Sequence, residues 1–422
     1  MAAIYYDLSE LYLSSGVKFR YYGIARTVME VAYELTRIDP DVRYVVYSPL
    51  HGRFFEVTPR IGEQSPTGVL DHGLPPSATP LRLRESLYDN NPAKAAFYWL
   101  VRKVVNYRNS RRWATIPQGM VREVDLSGQI LVSLGRPKIM SDYLAALEKG
   151  GTKFAFVPLL HDMMPLHDFS GRPGFSPQRN FLHDNTVVIG GSSLILANSK
   201  FTETEILHFC GKGVLPPAPP VVAVPLCHEL RVSAEPVVKR APSAHYLLCV
   251  GTNTGRKNLE CVVEALAALR ERGEDIPDLV LAGARRKSVE RYLKKDKFAS
   301  LAPRIHFVYN PNQAELAELY RNAFAAVLPS FMEGWGLPVS EALWCGTPAL
   351  AADVPAVREA GGDLALYFDP RQPGELADII LQLQSDEAAY SALKSKIAAA
   401  KPTLRTWRDV AADILVAVKS KN

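Results

Sequence analysis

Cysteine is scarce, with five in 422 residues. Cys210, Cys227, Cys249, Cys261 and Cys345 are odd in number and never spaced as CxxC. That argues against a disulfide framework or a zinc ribbon, and a reducing cytoplasm suits the chain. No apolar run reaches the roughly 18 residues a spanning helix needs. The N-terminus, MAAIYYDLSELYLSSG, lacks the basic start, apolar centre and small-residue cleavage site of a signal peptide. There is no GxxxxGK[ST], no GxGxxG and no HExxH, which weakens P-loop ATPase, dehydrogenase and zinc-peptidase readings. Charge of one sign is also missing overall: the net is +5, so the chain does not read as a nucleic-acid binder.

What is present is a soluble balance, 47% hydrophobic and 22% charged, over a length that suits two domains. Short β-rich runs alternate with helical patterns. AAIYYDL, RYVVYS, QILVSL, KFAFVPLL and SSLILAN read as buried strands, and RTVMEVAYEL and FTETEILHF as helices. The second half repeats the scheme: HYLLCVG, LVLAG, RIHFVY and AAVLPS as strands, LECVVEALAALRERG, ELAELYRNA and SEALWCG as helices. Such alternation predicts an α/β fold of two Rossmann-like domains with parallel sheets covered on both faces. Prolines 216, 217, 219, 220, 225, 236 and 242 mark the boundary. The first domain is expected at 1–228, a hinge at about 228–243 and the second domain at 243–403. A last helix, 404–422, carries Trp407, Val410, Ala411, Ile414 and Val418 on one face. It either ends the second domain or crosses back to complete the first.

Two loops carry the chemistry. Pro329-Ser-Phe-Met-Glu-Gly-Trp-Gly-Leu-Pro-Val-Ser-Glu341 follows a strand. Gly334 and Gly336 permit a tight turn, and Pro338 suits the first turn of a helix that stops near Gly346. Glu333 then sits on the loop and Glu341 early in the helix. The free amides and dipole between them favour an anion, and the carboxylates can accept sugar or ribose hydroxyls. Val250-Gly-Thr-Asn-Thr-Gly-Arg-Lys-Asn-Leu259 is a second strand-to-helix turn. Gly251 and Gly255 line it with amides, and Arg256 and Lys257 add cations. A cation 4 Å from a leaving diphosphate is worth about 4 kcal/mol at an effective dielectric near 20. Both loops leave the C-terminal ends of parallel strands, where such sheets bind ligands.

On these residues the chain resembles the retaining glycosyltransferases of the GT-B fold that use two glutamates seven residues apart, similar to bacterial polysaccharide and lipopolysaccharide mannosyltransferases. EGWGLPVSEALWCGTPAL carries the resemblance most strongly. It implies two Rossmann-like domains facing a central cleft. Glu333 would contact the donor hexose and Glu341 the ribose. Ser330 and the backbone of Gly334, Trp335, Gly336 and Leu337 would hold sugar and phosphate. Lys257 matches the family's diphosphate-binding lysine. Thr252 stands where many members carry arginine, so Arg256 would share the phosphate charge. Gly23, in YYGIARTVMEVAYEL, resembles the first-domain donor loop. His161, in LLHDMMPL, resembles the histidine that contacts the transferred sugar. The implied catalytic set is Glu333, His161 and Lys257.

The expected activity is metal-independent, retaining transfer of a hexose from a nucleotide sugar to a saccharide or lipid-linked acceptor in cell-surface glycan synthesis. Mannose from GDP-mannose is favoured and UDP-hexoses come next. The rivals are a nucleotide-sugar epimerase on the same fold and a non-catalytic sugar- or nucleotide-binding module. No carboxylate stands out as a covalent nucleophile, so attack on the face of the departing phosphate is preferred. The pairs His161-Asp162, His167-Asp168 and His183-Asp184 fit no metal template and read as one site histidine and two surface or capping pairs. Asp39-Pro40-Asp41 reads as a turn rather than a manganese site. Between Arg82 and Arg112 eight basic residues face two acids, Glu85 and Asp89, with aromatics interleaved over Phe97–Trp113. This window is either a half-buried helix with a solvated basic face or a contact with the inner face of the cytoplasmic membrane.

Overall fold

The structure, a computed structural model, describes residues 2–14, 23–65, 68–83, 92–167, 177–232, 237–238, 245–251 and 255–420. The first half runs β1 (Ile4–Asp7), α1 (Ser9–Ser14), α2 (Gly23–Ile38), β2 (Arg43–Ser48), β3 (Arg53–Val57), β4 (Arg60–Ile61) and β5 (Leu70–Asp71). It continues through α3 (Pro92–Trp113), β6 (Val121–Glu123), β7 (Ile130–Ser133), α4 (Pro137–Lys149), β8 (Ala155–Leu160), α5 (Pro177–Gly190), β9 (Ile195–Ala197), α6 (Lys200–Gly211) and β10 (Val221–Ala223). The second half begins with β11 (Tyr246–Val250), α7 (Leu259–Glu271), β12 (Asp278–Gly283), α8 (Lys287–Leu293), β13 (Ile305–Tyr309) and α9 (Gln313–Asn322). It ends with β14 (Ala325–Leu328), α10 (Leu337–Trp344), β15 (Ala349–Ala352), α11 (Pro355–Gly361), β16 (Leu366–Phe368), α12 (Pro373–Ser385), α13 (Glu387–Ala400) and α14 (Trp407–Lys419).

Among the described residues, the first sheet has the order β10-β9-β8-β7-β1-β2-β3-β6 and the second β13-β12-β11-β14-β15-β16. The second order is that of a dinucleotide-type doubly wound sheet, and it reverses between β11 and β14. The loops after those two strands therefore flank the crevice where the order switches. The first sheet departs from the all-parallel expectation: near its edge β3 runs antiparallel to both neighbours, β2 and β6. Arg53 of β3 follows β2 by only a tight turn, too short for the crossover a parallel pair requires. The prolines of 216–225 bracket β10, an edge strand, which tolerates them. The hinge expected at 228–243 lies partly outside the described residues, with Pro236 and Pro242.

Each sheet feeds two apolar layers because successive strand residues point to opposite faces. Tyr6, Val132 and Leu196 join one core, and their neighbours Tyr5, Leu131 and Ile195 join the other. Leu247 and Leu279 against Leu248 and Val280 do the same in the second sheet. The last helix, α14, buries Trp407, Val410, Ala411, Ile414, Leu415 and Val418 in the first-domain core beside Val28, Val31 and Leu35 of α2. A reciprocal Thr406–Asp409 capping box starts it, and Lys419 ties its end to Asp39 at 2.6 Å. Deleting the Trp407 side chain would cost about 3–5 kcal/mol by the usual scale for buried aromatics.

Candidate active site

A cleft of about 270 Å³ opens between the two sheets. It is lined by Gly23, His161, Gly251, Lys257, Glu333, Gly334, Trp335, Gly336, Leu337 and Glu341 among others. Gly336, at φ 124°, begins α10, with Pro338 in the first turn. Gly334 is required for another reason: a methyl group there would lie 2.0 Å from the carbonyl oxygen of His161. The loop of the second domain thus presses directly on the first. Thr202 Oγ1 adds a 3.3 Å hydrogen bond to the Gly334 carbonyl. Trp335 is buried and donates to Ser340 Oγ at 2.9 Å, which fixes the loop's outer turn.

The β11 loop meets this loop from the other side of the crevice. Gly251 and Gly255 have φ 72° and 77°; Thr252, between them, lies outside the described residues. Asn258, at φ 49°, donates to the carbonyls of Pro329 (3.0 Å) and Pro370 (2.7 Å), so it pins the two loops together. Lys257 Nζ is 2.7 Å from Glu333 Oε1, and Arg256 is 3.3 Å from Glu333 Oε2. Arg256 also donates to the Met332 carbonyl at 2.6 Å and does not line the cleft, so its charge acts from behind Glu333. Burial pushes the Glu333 carboxyl up, but Lys257 and Arg256 together outweigh it and hold the group below its ordinary value. The buried Ser330 hydroxyl beside it acts in the same direction.

Glu341 is more enclosed than its position early in α10 implied. Arg26 of α2 forms an ion pair with Oε1, and Tyr320 donates to Oε2 at 2.9 Å. Arg26 also donates to the Glu229 carbonyl at 3.1 Å and lies 5.7 Å from the Trp407 ring centre. Both Arg26 and Glu341 are buried, so this contact joins α2, α10, α14 and the interdomain connection in one network.

On the first-domain side, His161 follows β8. Its Nε2 is 2.7 Å from the Leu134 carbonyl, which can only accept, so Nε2 carries the proton and Nδ1 is an acceptor. Burial lowers its pKa, which keeps the ring neutral. Asp162 beside it is pushed up to about 6 by burial, with Arg256 opposing. Gly23 begins α2 at φ 45°; the preceding Tyr22 lies outside the described residues.

Several lining groups escaped the sequence reading: Arg26, Asp162, Asn198 and Gln313. Gln313 is 1% exposed, and among the described residues neither its Oε1 nor its Nε2 has a partner. A buried amide left unpaired is costly and asks for a ligand or water. Its signal was present, since Gln313 opens a helix directly after a strand and loop of the nucleotide-type sheet.

The other histidine pairs fall elsewhere. His167 bonds Glu205, and Asp168 is outside the described residues. Asp184 corrects the surface expectation: it is buried and accepts from Ser141 Oγ at 2.9 Å, because α5 packs against α4 there. Asp39 accepts from the Asp41 amide at 3.1 Å, a turn contact. Among the described residues no group of three or more His, Cys, Asp or Glu side chains is arranged to hold a metal.

Residues 235–400 match the family of glycosyl transferases group 1. They form a group 1 glycosyl transferase domain. The chain is 30% identical over 222 residues to O-antigen chain mannosyltransferase B of Escherichia coli, covering 49% of this chain and 55% of that protein. It is 27% identical over 248 residues to D-inositol 3-phosphate glycosyltransferase of Paenarthrobacter aurescens (strain TC1), covering 54% and 59%. It thus spans little more than half the length of these curated relatives. Sucrose-phosphate synthase of Thermosynechococcus elongatus superposes with a TM-score of 0.64 at 17% identity, covering 100% of this chain and 99% of that one. Anabaena Alr3699/HepE in complex with UDP and glucose superposes at 0.60 with 14% identity, covering 100% of both. At those identities the likeness is one of fold, and the fold is GT-B.

Proposed function

We propose that the chain transfers a hexose from a nucleotide-sugar donor to a saccharide or lipid-linked acceptor in cell-surface glycan synthesis. The observation that carries this is the convergence of Lys257 and Arg256 on Glu333 at the sheet's switch point. In the structure Glu333 neutralises the two cations. A donor diphosphate would take over Lys257, with Arg256 acting from behind, and so free Glu333 to accept sugar hydroxyls. Glu341 would accept a ribose hydroxyl on its remaining lone pairs, with Arg26 on one oxygen and Tyr320 on the other. The unpaired Gln313 amide, with one donor and one acceptor face, suits the edge of a nucleobase. His161 Nδ1 and Asn198 face the transferred sugar from the first domain.

We favour GDP-mannose as donor because mannosyltransferases stand among the relatives; UDP-glucose is the alternative, since a structural neighbour was solved with UDP and glucose. We also favour retention without metal. Glu341 is held by Arg26 and Tyr320, Glu333 is assigned to the sugar hydroxyls rather than to the anomeric carbon, and Lys257 supplies charge a metal would otherwise bring. No helix of the described residues is long and apolar enough to cross a membrane. A lipid-linked acceptor would put the chain at the inner face of the cytoplasmic membrane.

The test is incubation with GDP-mannose or UDP-glucose, with and without saccharide acceptors, in the presence of a chelator, with product anomers read by NMR. Transfer with retained configuration supports the whole reading. Donor consumption with no glycosidic bond formed points to an epimerase. Inverted configuration or abolition by the chelator removes the retaining, metal-free mechanism.

A further inference from the structure

Helix α3 carries a face that the transfer reading does not use. Its inner side is fixed by Asn109, which accepts from the Leu81 amide at 2.8 Å and donates to the Leu81 carbonyl at 2.9 Å. Trp113 packs on His51 and Phe55, with ring centres 4.9 and 4.7 Å apart. The outer side presents Phe97, Leu100, Val104 and Tyr107, which are 63%, 57%, 54% and 62% exposed. Their spacing, i, i+3, i+7, i+10, puts them on one stripe of the helix, where a solvated surface ordinarily carries polar groups. Trp99, 53% exposed, stands beside the stripe.

The charges around this stripe have one sign. Lys103, Arg108 and Arg111 flank it, and no Asp or Glu occurs anywhere in 92–113; Arg112 instead donates to the Thr79 carbonyl, and Arg102 lines a pocket with Asp142 and His183 on the far side of the helix. Lys103 Nζ sits 3.8 Å from the Trp99 ring centre and the Arg111 guanidinium 5.7 Å from that of Tyr107. Each pairs an apolar body with a cation at one level of the helix.

We propose that this face of α3 docks on an anionic lipid bilayer. The rings, Leu100 and Val104 enter the interface, while the lysine and arginine heads meet lipid phosphates. A second copy of the chain fits the face less well, because a two-fold contact would set this cationic cluster against itself. The helix ends at Trp113 beside His51, which follows the C-terminal end of β2. The parallel strands β1, β7 and β8 end at that same edge, where the cleft opens. Docking through α3 therefore ties the bilayer to the cleft edge of the first domain.

The test is flotation of the full chain with vesicles of phosphatidylglycerol and phosphatidylcholine, against phosphatidylcholine alone, at low and high salt. Flotation is expected with the anionic vesicles only, and molar salt should abolish it. Arg108→Gln and Arg111→Gln should each weaken binding about fivefold, and Leu100→Ser with Val104→Ser should weaken it further. Tryptophan emission should shift to the blue on binding, and Trp99→Phe should remove most of that shift. These positions are exposed, and an unchanged unfolding midpoint checks that each variant is folded. Absence of flotation at low salt, equal flotation with neutral vesicles, or variants that bind like the parent would overturn the proposal. A concentration-dependent dimer dissolved by the Leu100→Ser and Val104→Ser pair would assign the face to a second copy and overturn it as well. Flotation requires no turnover, so this proposal and the transfer reading fail separately.

Discussion

The second-domain wall of the cleft gathers cations around a carboxylate, and the first-domain wall presents hydrogen-bonding groups with one titratable acid, Asp162. Across the β11 and β14 loops, Lys257, Arg256 and Glu333 form a compact ionic cluster. Opposite them stand a neutral His161, an Asp162 lifted toward neutrality, and Asn198. The first domain's cation in the cleft, Arg26, is already committed to Glu341. A leaving diphosphate develops negative charge and needs the first kind of wall, whereas a sugar hydroxyl needs oriented dipoles of the second kind. In the proposed transfer, donor and acceptor sides would divide according to where charge is tolerated.

The strongest way to break this comparison is to cut the Arg26–Glu341 ion pair that crosses it. Arg26→Met should lower stability by about 3–5 kcal/mol, because it strands a buried carboxylate. Adding Glu341→Gln should recover most of the loss, since an amide can still accept from Tyr320. Urea unfolding of both variants reads this, and a single-variant loss below about 1 kcal/mol would mean the pair is not the joint between the walls. Next in size, Lys257→Ala should lower kcat about 10²–10³-fold with an unchanged unfolding midpoint. Near-normal turnover would move the phosphate site off this wall.

Gln313→Leu sharpens the comparison within the second wall. It should raise KM for the preferred donor by about 10-fold, leave kcat nearly unchanged and narrow the gap between nucleotides. An equal loss for every nucleotide would show that Gln313 does not read the base. The smallest effect concerns pH on the first wall. Burial lifts Asp162 to about 6, so above that pH it places a negative charge near Lys257 and Arg256, where the proposed donor phosphates would sit. Affinity for a nucleotide sugar should fall a few-fold as pH rises from 5 to 7, and Asp162→Asn should flatten the profile. A nucleotide sugar is the right probe because the terminal phosphate of a free diphosphate titrates in the same range. The same elevated pKa implies that ionising Asp162 opposes folding: its contribution is most favourable below its unfolded value and worsens as pH rises through 6.

The parts that could be read from the sequence are those encoded locally. The strand-loop-helix joints after β11 and β14 show themselves in a dozen consecutive residues each, through glycines, Pro338 and the flanking apolar runs. The period-two alternation that feeds four apolar layers is local too. The reversed strand β3 was not legible, because a short tight turn after RYVVYS leaves no helical pattern to mark a change of direction. Arg26 meets Glu341 across 315 residues of sequence, and no spacing rule announces that. Before folding, it is one more arginine in an amphipathic helix. Asp162 likewise acquires meaning only from burial, by its displaced titration; Gln313 stands at a visible helix start, but its lack of partners shows only in the fold.

The most direct test of the central claim, that Lys257 and its loop hold a nucleoside diphosphate, is thermal unfolding of the parent and Lys257→Ala with GDP, UDP, ADP and dTDP. At about 100 times its dissociation constant a ligand stabilises by roughly 2.7 kcal/mol. The account predicts that one nucleotide raises the midpoint of the parent and that Lys257→Ala loses the effect. A midpoint that no nucleotide moves, or a shift that survives in Lys257→Ala, would contradict it.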